Sequence, residues 1–500
     1  MIVRVLSASY IGIDPYLVEV EVDVSSNLPS FSIVGLGDTA IDESKYRIRT
    51  ALRNCGYGVL PRRVVVNLSP AGIRKEGVQF DLPIAVGLIL AQGFLPDRNH
   101  ILDEYLIMGE LSLDGRIKAV KGTINAMILA REMNFKGILL PAENQREARI
   151  IKGVEIVPIR TLNDVERFFK YGEKEEMPPA EEIPPPVSEV DFADVKGQVQ
   201  GKRGLEIAAA GGHNVLMIGS PGSGKSMLAR RIISIMPPMT EKEIIECTKI
   251  HSVAGTLSGS RPVVNTRPFR APHHTSSPVS IIGGGTKIMP GEISLASGGG
   301  VLFLDEFPEF SRQLLESLRQ PLEDGVVSIT RAMYRVEFPC RFLLIAAANP
   351  CKCGFLFEGE RCTCSTHEVS QYQKKLSGPI LDRIDLHIEM RRLTEEELTQ
   401  APTGESSREI QKRVEKARAI QEQRNGEGLL NAYLGQKEMK KYCVIAEDDL
   451  GYFKSAIRML EISARGYDKI LKVSRTIADL DGSVRIRKEH LLEAISFRRK

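Results

Sequence analysis

Residues 219–226 read GSPGSGKS, a full G-x-x-x-x-G-K-S. The eight positions are Gly219, Ser220, Pro221, Gly222, Ser223, Gly224, Lys225 and Ser226. Glycines at this spacing let backbone N–H groups close around phosphate oxygens. A helix opening at the lysine adds a field that favours negative charge. In such a cradle the Lys225 ammonium reaches the β- and γ-phosphates and the Ser226 hydroxyl holds Mg²⁺. A second constellation, VLFLDEF at 301–307, ends four apolar residues in Asp305 and Glu306. Two carboxylates at the tip of a buried strand suit the same chemistry. Asp305 would enter the Mg²⁺ shell, and Glu306 would take the proton of an attacking water. ATP and Mg²⁺ are the expected cofactors.

The stretch CKCGFLFEGERCTC (351–364) holds four of the chain's eight cysteines as two C-x-C pairs. Cys351, Cys353, Cys362 and Cys364 can form a tetrahedral Cys₄ zinc site around the GFLFEGER hairpin, with His367 as a spare ligand. Closing the loop with a metal would rigidify a segment too short for its own core. Reduced thiols without metal and a redox switch are the alternatives.

Residues 252–291 contain no acid in forty positions. Arg261, Arg267, Arg270 and Lys287 are basic, His273 and His274 lie between them, and Gly283, Gly284 and Gly285 form a hairpin tip. A basic, acid-free loop suits contact with a phosphate backbone, making Arg267, Arg270, His273, His274 and Lys287 candidate DNA contacts. The competing reading is a loop packed on the core. Adjacent side chains rarely converge on one ion, so HH as a metal pair is disfavoured. The tail RIRKEHLLEAISFRRK reads as a solvated helix face or a further DNA contact. The segment GLGDTA (35–40) resembles a dinucleotide motif, yet nothing else supports one and a plain strand-to-helix turn explains it.

Several elements must position these residues. NVLMIG, GVLFLDE and RFLLIAAAN are apolar strands; EIAAA and SMLARRIISIM are helical. Apolar strands alternating with helices predict a parallel sheet covered on both faces. Residues from about 405 onward are helical in pattern. Upstream, LVEVEVDV, FSIV and RVVVNLS read as strands. TAIDESKYRIRTALRNC reads as a helix capped by Asp38 and stopped at Gly56. The Glu/Pro-rich 173–187 suits an extended linker. The expected division is 1–172, the linker 173–187, an ATPase core 188–395 and a helical part 396–500.

With 42% hydrophobic and 26% charged residues, the 500-residue chain is globular material. Its net charge of +3 gives no global basic field, so a nucleic-acid surface must be local. No apolar run reaches the roughly 18 residues of a membrane span, and the N-terminus alternates like a strand instead of a signal peptide. A cytoplasmic protein without a membrane partner is expected, with its thiols reduced.

DFADVKGQ (191–198), GGHNVLMIGSPGSGKS, GVLFLDEFPEF, AAANPCKCG and SGPILDRIDL together resemble the magnesium-chelatase-like branch of the AAA+ ATPases. With its N-terminal part included, the chain resembles the YifB/ComM family along essentially its whole length. The resemblance implies an α/β fold: a P-loop AAA+ three-layer core with a parallel sheet, a C-terminal helical lid, and an N-terminal α+β Lon-protease-like domain. It also implies that Asn349 orients the lytic water and that Arg383 is an arginine finger entering a neighbouring subunit's site, worth roughly 10³–10⁵ in rate. Arg465 resembles the second sensor, with Arg475 as a rival. A finger acting in trans implies a homo-hexameric ring, and the resemblance places the 252–291 loops towards its pore.

GELSLDGRIKAVKGTINAMILAREMNFKGILLPAEN resembles the second half of the Lon-like domain, but the family's catalytic serine falls near Gln79 and its lysine on Ile124. An amide and an alkyl chain form no activated nucleophile, so this domain is expected not to be proteolytic. The function implied is an ATP-driven ring motor on single-stranded or branched DNA, a helicase or branch-migration factor in recombination or transformation. The alternative is a protein-remodelling or metal-chelatase motor. A Lon-like domain is also seen in the recombination protein RadA, which favours DNA.

Overall fold

The computed structural model describes residues 2–58, 62–97, 100–175, 190–258, 260–285, 287–330, 335–375, 380–399, 404–459 and 462–498. The linker expected at 173–187 lies, from residue 176, outside the described residues.

The N-terminal part is α+β. Its first sheet runs in the order Ile2–Ile11, Asp14–Ser25, Arg63–Ser69, Ser30–Val34. The first three strands are antiparallel neighbours, and the last is parallel to Arg63–Ser69. Alternate residues of Asp14–Ser25 are buried, as its apolar/polar alternation demands. The helix Asp81–Ala91 (DLPIAVGLILA) covers this sheet and is buried nearly all round. Gly87 is required there: a Cβ on it would lie 2.6 Å from Val22 Cγ2. The helix Thr39–Asn54 starts where Asp38 accepts a hydrogen bond from Ile41 N at 3.0 Å. A smaller parallel sheet orders Tyr105–Ile107, Gly137–Pro141 and Glu155–Ile159, with the helix Thr123–Glu132 packed on Gly137–Pro141.

The central part is built on five parallel strands in the order Phe269–Arg270, Gly300–Leu304, Phe342–Ala348, Val215–Gly219, Leu386–Met390. The strands GVLFL, FLLIAAA and VLMIG are buried throughout because both faces are covered. One face carries the helices Val199–Gly211 and Lys225–Arg231 together with Ser407–Asn425 and Ala464–Leu480 from the C-terminal region. The other face packs Ile281, Phe307, Phe310 and Leu314. A parallel α/β core with a helical C-terminal region is the AAA+ architecture expected.

Local sequence sets the details. SMLARRIISIM is α-helical only to Arg231 and tightens into a 3₁₀ turn at Ile232–Ile235. Pro237 and Pro238 follow and have no N–H with which to continue a helix. The helix Ser407–Asn425 opens with a capping box between Ser406 and Glu409. In the tail, the helix Lys488–Ser496 buries His490, Leu491 and Ala494 and pairs Glu493 with Arg203, leaving Lys488 and Glu489 outward. Among the described residues no helix is long and apolar enough to cross a membrane.

Candidate nucleotide site and its surroundings

Parallel strands deliver their C-terminal ends to one edge. Val215–Gly219 lies between Phe342–Ala348 and Leu386–Met390, so the chain reverses direction across the sheet beside it. Ligands of open α/β sheets bind at such switch points. The loop 219–226 leaves this edge, and its Gly222 (φ +77°) and Gly224 (φ +89°) adopt left-handed conformations with open space where a Cβ would stand.

The polar residues picked out in the sequence converge here. Lys225 is buried and its Nζ donates to Gly219 O (2.6 Å), Ser220 O (3.0 Å) and Asn349 Oδ1 (3.3 Å). Burial lowers its pKa, opposed by the Asp305 carboxylate. Ser226 Oγ donates to Asp305 Oδ2 at 2.7 Å. A hydroxyl and a carboxylate brought together suit Mg²⁺, which takes oxygen ligands. Ser223 Oγ is buried and has no partner among the described residues, an orphan inside the cradle. This set fits a triphosphate with its magnesium.

Glu306 follows Asp305 with φ +51°, an uncommon conformation for a side chain with a Cβ. Its Oε2 lies 3.1 Å from His274 Nδ1. The pairing of these two residues was not legible in the sequence. They are 32 positions apart, and only the parallel pairing of Phe269–Arg270 with Gly300–Leu304 brings their following residues to one edge.

The arginines divide. Arg383 sits at the end of the turn Leu381–Arg383 and pairs with Glu323. It lines a cavity of about 490 Å³ with Arg319, Gln320 and Glu316. Arg465 is 72% exposed, and its Nη1 lies 3.0 Å from Asp382 Oδ2, beside Arg383. Its rival Arg475 is fully buried, bonded to Asp479 Oδ1 (3.1 Å) and to the carbonyls of Val484 (2.8 Å) and Ser483. Arg475 is therefore a structural residue of the C-terminal helices.

Two of the expected DNA contacts are corrected. Arg267 is 6% exposed. Its guanidinium grips Glu243 through Nη1 (3.0 Å) and Nη2 (3.1 Å) and donates to the carbonyls of Pro237 (2.8 Å) and Gly298 (2.9 Å). Arg270 forms a two-pronged pair with Glu292 at 2.5 and 2.7 Å. The neutralising acids come from just outside the acid-free segment, so these two charges are paired on folding. Lys287 is 62% exposed at its hairpin and approaches Asp38 (3.6 Å) and Glu76 (4.0 Å) of the N-terminal part. His273 stacks on His274 with ring centroids 4.1 Å apart.

The four clustered cysteines do meet. Their Sγ atoms all lie within 4.8 Å of one another. The separations Cys351–Cys353, Cys353–Cys362 and Cys351–Cys362 are 3.4, 3.6 and 3.8 Å. Sulfurs about 2.3 Å from a tetrahedral zinc stand about 3.8 Å apart, so the set has the right size. The backbone N–H of Phe355 donates to the Cys353 sulfur and pulls its pKa down to about 6, favouring the thiolate a metal requires. The turn Cys351–Gly354 abuts the cradle: a Cβ on Gly354 would lie 2.7 Å from the Pro221 ring.

In the N-terminal part, Gln79 is buried, its Nε2 donating to Glu76 O at 2.9 Å. Ile124 is fully buried, and its N–H donates to Glu147 Oε1 at 3.1 Å. Ser252, from the central part, donates to that same Glu147 oxygen and accepts from Gly122 N at 3.0 Å. This interlock was also missed, because no local pattern links residues 105 positions apart. At GLGDTA the chain makes a strand-to-helix turn; a Cβ on Gly35 would meet Leu68 O at 2.2 Å.

Three family descriptions match the chain. "Magnesium chelatase, subunit ChlI" covers residues 191–398, "Subunit ChlI of Mg-chelatase" covers 20–144, and "Magnesium chelatase, subunit ChlI C-terminal" covers 404–498. Competence protein ComM of Haemophilus influenzae is 41% identical, over 99% of this chain and 97% of that protein. YifB of Salmonella typhimurium, an uncharacterised protein, is 40% identical over 98% and 95%. Lon protease 2 of Bacillus subtilis is 26% identical over 30% of this chain and 29% of its own length.

Proposed function

The chain belongs to the ComM/YifB family of magnesium-chelatase-like AAA+ proteins, and from that premise we propose that it is an ATP-hydrolysing ring motor acting on DNA during recombination or transformation. The family implies ATPase activity with ATP and Mg²⁺. The observation that carries the site assignment is the convergence of Lys225, Ser226, Asp305 and Asn349 on one sheet edge. Lys225 leaves its carbonyl partners to bind phosphate oxygens, and Ser226 and Asp305 hold the metal. Magnesium supplies neutralisation of phosphate charge. Glu306 takes the proton of the attacking water, and the Asn349 amide orients that water.

Arg383 and Arg465 share one edge through Asp382, which suits two guanidiniums serving a neighbouring subunit of a hexamer. The four cysteines hold zinc as a brace beside the cradle. The N-terminal part is not a protease, since Gln79 and Ile124 offer no nucleophile and are buried. DNA is favoured over a protein or porphyrin substrate by the competence protein similar to this chain over almost its full length. The test is the ATPase rate with and without single-stranded or branched DNA. Stimulation, with binding that weakens steeply with salt, is expected. No stimulation and no salt-dependent binding would sink DNA as the substrate.

A further inference from the structure

We propose that Lys469 is a positioning residue: through Asp385 it fixes the loop that carries Arg383, so the helix Ala464–Leu480 sets that arginine for the neighbouring subunit's nucleotide. The proposal rests on the reading of Arg383 as a finger acting in trans. Arg383 ends the turn Leu381–Arg383 and lines an open cavity. A side chain that serves another subunit's site cannot be aimed by its own nucleotide, so its backbone must be held from behind. Asn214, which precedes the strand Val215–Gly219, does part of this. Its Nδ2 donates to Arg383 O at 3.1 Å, and its backbone N–H donates to Asp385 Oδ2 at 3.2 Å. In return, Asp385 N donates to Asn214 O at 2.9 Å.

The rest of the hold comes from the C-terminal region. Lys469 Nζ lies 3.1 Å from Asp385 Oδ1 and donates to Ile384 O at 2.7 Å. Both side chains of the pair are only 13% exposed, so water screens their attraction little. Burial alone would raise the Asp385 pKa, but the charges of Lys469 and His213 outweigh it and keep the carboxylate ionised. His213 Nδ1 stands 3.5 Å from Asp385 Oδ2, and its Nε2 lies 2.7 Å from Thr476 Oγ1 on the same helix as Lys469. Arg465, four residues before Lys469, reaches Asp382 at 3.0 Å. Side chains four apart share one helix face. That face therefore grips the chain on both sides of Arg383, at Asp382 and at Asp385. Loosening the buried grip lets the finger loop drift, and a misplacement of about 1 Å can cost on the order of 10²-fold in rate.

The test is steady-state ATP hydrolysis by the full-length protein without DNA, so the outcome does not depend on DNA being the substrate. Lys469→Met, which keeps the length of the side chain and removes its charge, should lower kcat roughly 10- to 100-fold with KM for ATP unchanged. Asp385→Asn cuts the pair from the other side and should act in the same direction. Mixing decides whether the defect lies in the finger. Added Lys225→Ala protein should raise the rate of either variant severalfold, because its intact finger loop then serves the variant's intact cradle. Added Arg383→Ala protein should give no gain, since neither subunit then supplies a placed finger. A kcat within twofold of wild type for both variants overturns the proposal. So does a fall that Lys225→Ala cannot rescue, which would place the damage in the variant's own site or fold. Failure of Arg383→Ala itself to recover with Lys225→Ala would instead remove the finger assignment beneath it.

Discussion

The sheet edge around Lys225 and the segment 252–291 both stood out for their polar residues, and folding treated them oppositely. At the edge, residues that follow three separate strands met within hydrogen-bond range. In the segment, Arg267 and Arg270 turned away and were neutralised by Glu243 and Glu292. The difference lies in what each pattern encoded. The P-loop motif specifies backbone geometry and side chains together, and its strand and helix fix where they point. An absence of acids specifies only a composition, and composition says nothing about which charges neighbouring elements supply.

The largest effect that would sharpen this contrast comes from Arg383→Ala. It should lower kcat by roughly 10³-fold with ATP binding retained. Mixed with Lys225→Ala, it should recover part of the activity, because each variant supplies what the other lacks. No recovery would argue against a finger serving the neighbour.

Arg267→Ala probes the other side. It empties a buried guanidinium site and leaves the half-buried Glu243 and two backbone carbonyls without that donor, and should cost roughly 2–3 kcal/mol in a denaturant titration. A folded, stable Arg267→Ala protein with weakened DNA binding would reverse the correction and break the contrast.

Chelation should give the smallest change. Purified protein should carry about one zinc per chain. Stripping it should lower the melting temperature of the central part by several degrees, on the order of what a 1–2 kcal/mol loss produces. Less than half an equivalent of zinc with four freely titrating thiols would return the cysteines to plain reduced side chains.

Much of the fold was legible because it follows from local pattern. The apolar runs GVLFL and FLLIAAA, the Asp38 cap and the double proline after Met236 each act over a few residues. The cysteine cluster was equally legible, since its four thiols lie within fourteen positions. What escaped were contacts set by topology. His274 meets Glu306 only because two strands are parallel neighbours, and Ser252 meets Glu147 only because the central part docks on the helix Thr123–Glu132. The Arg465–Asp382 pair likewise depends on where the C-terminal helices lie on the core. Sequence spacing carries no trace of these.

The most direct test of the ATPase assignment is a Glu306→Gln variant measured for both nucleotide binding and turnover. ATP should bind as tightly as to the wild type while hydrolysis falls to background. Hydrolysis persisting at a near wild-type rate would show that the carboxylate at the tip of Gly300–Leu304 is not the base, contradicting the account of the site.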